Sequence, residues 1–499
     1  MDPRGTGYGA RSQQPVAGTR SSRSQIIRTA ARLIIALICY VLVFLTVAAA
    51  SIWLALTVAP MQPVNAAGQS AEVGATMPAL SLRGPGQLDL FGQAMPTRPQ
   101  FEGPIRPRLE LTRITIDPQV VRVLRSDGSR KIELSLSQQL AAGWKRYFVI
   151  ETIIAVGFAV PILAGLASLA AHAGLSRPKV LAAVAIGLIT VVTVNIGGVL
   201  LTASSTPATL RSVRTLDDLV GTSPVPPSEI PQPQGRTLPD AQAVVIGDST
   251  AAGDGLARSA NSSPLDRACG RSPDAYATAL GTVNGWQVLN LACDSATIEN
   301  GLLGVQVLAD GQVAPAQLAE AESATHAKVI IVSVGADDVQ WSVMTELCVS
   351  SAVCSDKVSA AYYASLLGEF TRAYYQLLTE LATLPTKPAV VVNEYYQPFG
   401  SSVSCLTQYG ITPAKAAVLT GRLGQLNQVL SQGAQAFGFG VAVPDFAGHG
   451  LCTQDPWVQG PADPAPLHPD VPGQLAIALA DEHALAGGHL GLLAGGAAG

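Results

Sequence analysis

Apolar and polar positions follow two different rules along this chain. In the first 202 residues the apolar runs are long and nearly free of charge, over 33–59, 147–171 and 180–202. Each is long enough to cross a hydrocarbon layer of roughly 30 Å. A buried core helix is the alternative reading, but the length of the runs and their scarcity of charge favour membrane spans. From residue 241 onward the apolar runs are short, at 243–246, 287–292, 328–334, 388–393 and 439–444, with helical periodicity between them, as over 357–383 and 413–436. Short apolar strands alternating with helices predict an α/β domain whose parallel sheet is covered on both faces. Functional groups in such domains gather beyond the carboxyl ends of the strands. Ser249 follows the first of these strands, Asp294 and Ser295 the second, and Asp337 the third.

The connecting segments are read from composition. Residues 1–28 are polar and Gly/Ser/Arg-rich, which predicts a disordered tail, and 29–59 is the first transmembrane helix. Residues 60–146 are expected to form a small β-rich module. Its first part, to about 104, is rich in Pro and Gly without clear periodicity. Beyond Arg108, apolar residues interleave with polar ones, and Val121–Leu124 and Ile132–Leu136 flank Asp127-Gly128 as in a β-hairpin. The second and third spans occupy 147–171 and 180–202. Glu151 and Asn195 lie at membrane depth, where a helix–helix hydrogen bond is the expected use. Residues 203–240 read as a stiff Pro/Ser-rich linker, 241–486 as the α/β domain and 487–499 as a flexible tail.

Charge sets the orientation. Arg20, Arg23, Arg28 and Arg32 precede the first span, and Arg177 and Lys179 lie in the short turn between the other two. The positive-inside rule puts both groups in the cytoplasm, so the 60–146 segment and everything after 203 face outward. The first run is too long for a signal peptide and reads as an uncleaved anchor. The formal net charge of −4 gives no reason to expect a nucleic-acid partner. Cys39 lies in the first span. Cys269, Cys293, Cys348, Cys354, Cys405 and Cys452 all fall in the outward α/β region, an even set that reads as disulfides. A zinc site is the rival, but there is no C-x-x-C pair and no His at ligand spacing. No metal or other cofactor is expected.

Gly247-Asp248-Ser249 places a hydroxyl on the turn between a buried strand and a helix, where helix N–H groups favour developing negative charge. With Asn290-Leu-Ala-Cys-Asp-Ser-Ala-Thr297, Gly335-Ala-Asp-Asp338 and His468-Pro469 following in order, residues 241–486 resemble the SGNH/GDSL hydrolase superfamily, specifically its secreted actinobacterial lipase and esterase branch. The resemblance implies a flavodoxin-like three-layer fold and the pairings Cys269–Cys293, Cys348–Cys354 and Cys405–Cys452. It also implies carboxylic ester hydrolysis with Ser249 as nucleophile, His468 as general base, and an oxyanion hole built from the backbone N–H groups of Ser249 and Ser295 and the side chain at Asp337.

Three positions depart from the family's pattern. Ser295 stands where the family has Gly. Asp337 stands where it has Asn, and an ionised carboxylate repels an oxyanion, so Asp337 serves only when protonated. Ala465 stands where the family's orienting Asp lies, three residues before the His; Asp463, two residues further upstream, is the nearest substitute, and a backbone carbonyl is the alternative. These departures sustain two rival functions, a catalytically weak module that binds envelope glycan or lipid and a cell-envelope O-acyltransferase. The expected substrate is an ester, on a lipid or an acylated envelope glycan.

Overall fold

A computed structural model describes residues 20–66, 69–79, 81–114, 129–211 and 241–495. The chain divides into two compact units, one of residues 1–59 and 148–200, the other of 60–147 and 201–499. Helices Arg20–Val58, Ser129–His172 and Arg177–Arg211, the last two shared with the second unit at their ends, contain stretches long and apolar enough to cross a membrane, at 31–58, 139–172 and 177–201. Asn195 Nδ2 donates to Glu151 Oε2 at 2.6 Å and to Thr152 Oγ1 at 2.9 Å, so two of these helices are joined by the polar pair expected from the sequence.

Several boundaries differ from expectation. Residues 20–28 are already helical, while 1–19 lie outside the described residues. The hairpin turn at Asp127-Gly128 also lies outside them, and its second predicted strand, Ile132–Leu136, is helical. A helix of 44 residues follows directly from Ser129, because propagating a helix is favourable once it is nucleated. The linker's first residues, 203–211, prolong the third apolar helix, and 212–240 are outside the described residues. The tail predicted from 487 is helical as far as Gly495.

The second unit holds two sheets. Strands β1 (Gln62–Ala66), β2 (Gln69–Ala75), β3 (Arg83–Leu90), β4 (Gln93–Glu102) and β5 (Pro107–Ile114) form a mixed sheet in the order β1-β2-β5-β3-β4. The β3–β4 loop is just Phe91-Gly92, both at positive φ (52° and 75°), the two-residue hairpin turn whose twist suits the strands. Phe91 is buried against the second sheet's domain, with ring centroids 5.9 Å from Tyr374, 6.4 Å from Tyr375 and 6.4 Å from Phe437.

That domain is α/β. Strands β6 (Ala243–Gly247), β7 (Val288–Asn290), β10 (Val329–Ser333), β11 (Ala389–Asn393) and β12 (Gly440–Ala442) form an all-parallel sheet in the order β12-β11-β10-β6-β7, while the short strands β8 (Gln306–Val307) and β9 (Val313–Ala314) pair separately. Counting only the sheet's own strands, this is the 2-1-3-4-5 order of doubly wound domains. Its topological switch point lies between β6 and β10, where ligands bind in such folds. The three pairings named above are present: Cys269–Cys293, Cys348–Cys354 and Cys405–Cys452.

Candidate active site

β6 runs into the Gly247-Asp248-Ser249 turn at the switch point. Gly247 is required by close approach, since a Cβ there would lie 2.1 Å from the Ser333 carbonyl oxygen of β10. The buried side chain of Gln317 clamps the same residue, accepting from Gly247 N at 2.7 Å and donating to Gly247 O at 2.9 Å. Asp248 is fully buried. It accepts from Thr250 N at 3.0 Å, capping the helical turn Ser249–Ala252, and it accepts the Tyr395 hydroxyl proton. Tyr395 Oη in turn accepts from Ala336 N at 2.9 Å, so one phenol joins the nucleophile turn to the loop after β10. Sequence reasoning missed Gln317 and Tyr395, because nothing local marks a partner 70 or 147 residues away.

Ser249 Oγ donates to His468 Nε2 at 2.8 Å. The other ring nitrogen, Nδ1, lies 3.2 Å from the Pro466 carbonyl oxygen. A carbonyl only accepts, so Nδ1 carries the proton and Nε2 is free to take one from the serine. The loop presenting His468 is tied down on both sides. Gln459 N donates to His468 O at 2.7 Å, and Tyr396 Oη donates to Leu467 O at 2.7 Å. Leu467, just before the base, sits at φ +69°, a conformation that costs a non-glycine residue roughly 1–3 kcal/mol and persists only where the surroundings impose it.

Asp463 is not brought to His468. It is exposed, and its Oδ2 accepts from Gly460 N at 2.6 Å, closing a local turn. Ala465, where the family's acid would stand, is buried. The carbonyl of Pro466 therefore takes the place foreseen for Asp463.

Ser295 and Asp337 do come to the same cleft, a cavity of about 140 Å³ lined also by Ser249, Asp294 and His468. Ser295 has φ +61°, the left-handed conformation that explains why a glycine suits this position. Its hydroxyl lies 3.4 Å from Asp294 Oδ1. Burial, then the neighbouring Asp254, pushes the Asp294 carboxyl above its usual range, while the nearby His468 pulls it back. Burial, then Asp248 and Asp294, pushes Asp337 up to about 8. Its Oδ2 is buried with no hydrogen-bond partner among the described residues. Asp338 directs Oδ1 to Ile298 N at 3.0 Å and is raised to about 7, chiefly by burial. Asp248 is likewise raised to about 7 by burial, against the hydrogen bond from Tyr395. No group of three or more metal-ligating side chains occurs among the described residues.

In comparisons with known proteins, residues 245–476 match the model of the GDSL-like lipase/acylhydrolase family. No curated protein matches the chain. Among solved structures, the extracellular lipase of Streptomyces rimosus aligns with 19% identity over 49% of this chain and 99% of its own, at a TM-score of 0.41. Phospholipase A1 of Streptomyces albidoflavus aligns with 19% identity over 48% and 98%, at 0.36. The nucleophile turn, the five-stranded parallel sheet and the family match over 245–476 agree: the C-terminal domain of this chain is a member of the SGNH/GDSL hydrolase superfamily.

Proposed function

We propose that the protein is a membrane-anchored serine esterase whose catalytic domain faces away from the cytoplasm. The observation that carries this reading is the 2.8 Å contact between Ser249 Oγ and His468 Nε2 at the switch point of the sheet. In the first step Ser249 Oγ attacks the ester carbonyl and His468 Nε2 takes the hydroxyl proton. The tetrahedral intermediate collapses as that proton passes to the leaving alcohol, giving an acyl-serine. Water then repeats the sequence with His468 again as base, releasing the acid. The backbone N–H groups of Ser249 and Ser295 are the oxyanion donors.

The arginines flanking the first span, together with Arg177 and Lys179, support a cytoplasmic N-terminus. The three disulfides support an oxidising location for the catalytic domain. The β1–β5 module and this domain pack in one unit, and the even number of apolar helices between them supports placing both on one side of the membrane. Envelope lipid and acylated glycan both fit as ester sources.

The test uses the full chain in detergent micelles. A fluorophosphonate probe is expected to label Ser249, and Ser249→Ala is expected to lose the label and at least about 10⁴-fold in turnover of a short-chain p-nitrophenyl ester. Wild-type turnover by Ser249→Ala, or failure of the probe to react, overturns the reading in favour of a non-catalytic binding module.

A further inference from the structure

Beside the cleft at Ser249 lies a larger cavity that the serine–histidine pair does not use. It measures about 380 Å³, and Asp337 belongs to the walls of both. One wall is a face of the helix Lys357–Ala382, where Glu369, Arg372 and Gln376 follow at helical spacing. The loop after β7 contributes Thr297 and Glu299, and the end of the loop after β10 contributes Gln340. A pocket for an acyl chain is lined mainly by apolar side chains. This one is lined mainly by polar ones, donors and acceptors together. Arg372 makes a single hydrogen bond among the described residues, from Nε to Gly368 O at 3.5 Å, so its terminal amines are free to donate. It forms no ion pair with Glu299 or Glu369, although all three border the same space. Gln340 Oε1 accepts from Tyr362 Oη at 2.7 Å, which leaves its amide N–H groups to donate. Asp338 also reaches this cavity, with one oxygen already on Ile298 N.

Size and chemistry together define the occupant. At roughly 30 Å³ per water-sized group, the cavity of about 380 Å³ takes about a dozen non-hydrogen atoms, the count of one hexose. The cleft of about 140 Å³ at Ser249 takes about five, enough for an acetyl ester. A hydroxyl both donates and accepts, so a ring of hydroxyls satisfies the guanidinium, the carboxylates and the amides at once. A fatty chain would take water from all of them and return no hydrogen bond. An anionic alcohol would meet Glu299 and Glu369 against the one Arg372. We infer that the larger cavity is a carbohydrate subsite, and that the ester cleaved at Ser249 is a short acyl group on a sugar hydroxyl. The inference rests on the serine esterase reading. The acyl carbon leaves the sugar oxygen for Ser249 Oγ, and His468 passes the serine's proton to that oxygen. Water then hydrolyses the acyl-serine to the short carboxylic acid.

The test measures kcat/KM from acetate release by the full chain in detergent. One substrate is the mixture of mono-O-acetylglucose isomers. The other is ethyl acetate, whose acyl group is the same and whose alcohol has no further hydroxyl. The sugar ester is expected to be preferred at least about tenfold. Glu369→Ala and Arg372→Ala are each expected to lower that preference at least about fivefold, through KM for the sugar ester. The preference is a ratio, so a loss of folded protein cancels from it. Equal kcat/KM for the two esters, or a preference unchanged in both variants, overturns the inference. So does a higher kcat/KM for acetylcholine or for ethyl dodecanoate than for the sugar ester, which would assign the cavity to a cationic or a fatty group. Fluorophosphonate labelling keeps the two readings apart: if Ser249 reacts while the sugar ester is not preferred, the carbohydrate subsite falls and the esterase stands.

Discussion

An imidazole that takes the proton of Ser249 becomes a cation, and the group facing its other nitrogen decides how well that charge is held. In this protein that group is the Pro466 carbonyl at 3.2 Å, which fixes the tautomer but carries only a dipole. Asp294 lines the same cleft, and the nearby His468 draws its carboxyl back toward the usual range. Asp463 contributes nothing there, because its carboxylate is spent on the Gly460 amide. Asp463→Asn is accordingly expected to keep kcat/KM within about twofold of wild type, far from the loss of about 10⁴ in kcat that removing a true triad carboxylate causes. Steady-state kinetics at pH 7 checks this. That Ser249 and His468 meet was legible in the sequence, because each stands in a short motif whose order the resemblance picks out. Asp463 was not, because nearness along the chain says nothing about where a carboxylate points once a turn claims it.

At the scale of elements, the buried parallel strands were legible as unbroken apolar runs, for β6 and β10 are buried at every position. The strands of the other sheet were not. β3 carries Gly84-Pro85-Gly86 and is bulged between Pro85 and Gln87, and β4 carries Pro96 and Pro99. Proline fits β4 because β4 lies at the edge of its sheet, where a missing N–H breaks no ladder on the open side. The hairpin predicted around Asp127-Gly128 failed for the opposite reason. A period-2 pattern over five residues was outweighed by a long helix that continues from Ser129 and is tied to β2 where Trp144 Nε1 donates to Gly74 O at 2.8 Å. The tip of the β3–β4 hairpin makes an energetic prediction of its own. Phe91→Ala removes a ring from a four-aromatic contact and is expected to destabilise this unit by about 3 kcal/mol, read as a lowered melting temperature. Ser249 labelling by the probe at 20 °C should be retained, since Phe91 does not line the cleft.

The whole molecule inherits a pH dependence from its buried acids. Burial lifts Asp248, Asp337 and Asp338 from the ordinary carboxyl range to about 7, 8 and 7, and it also lifts Asp481. Acids with raised folded-state pKa values bind protons on folding, so their stabilising effect is complete below about pH 4 and is lost as the pH climbs to about 8. The carboxyls with lowered values, Asp266 among them, titrate below that window and leave it unchanged. The melting temperature of the full chain in detergent is therefore expected to be higher at about pH 5.5 than at about pH 8.5, and no difference would contradict the buried neutral acids.

The docking of Phe91 has a practical corollary for anyone who wants this domain free of detergent. A fragment begun at Ala241 keeps Ser249 and His468 but bares Tyr374, Tyr375 and Phe437, the kind of apolar patch that drives self-association. Extending the fragment back to Pro60 restores the cover only by bringing in the apolar helices at 139–172 and 177–201. No single contiguous cut yields both halves without a hydrophobic span. A water-soluble form must therefore be assembled from two separately encoded pieces, or from one chain in which a hydrophilic bridge replaces residues 148–200.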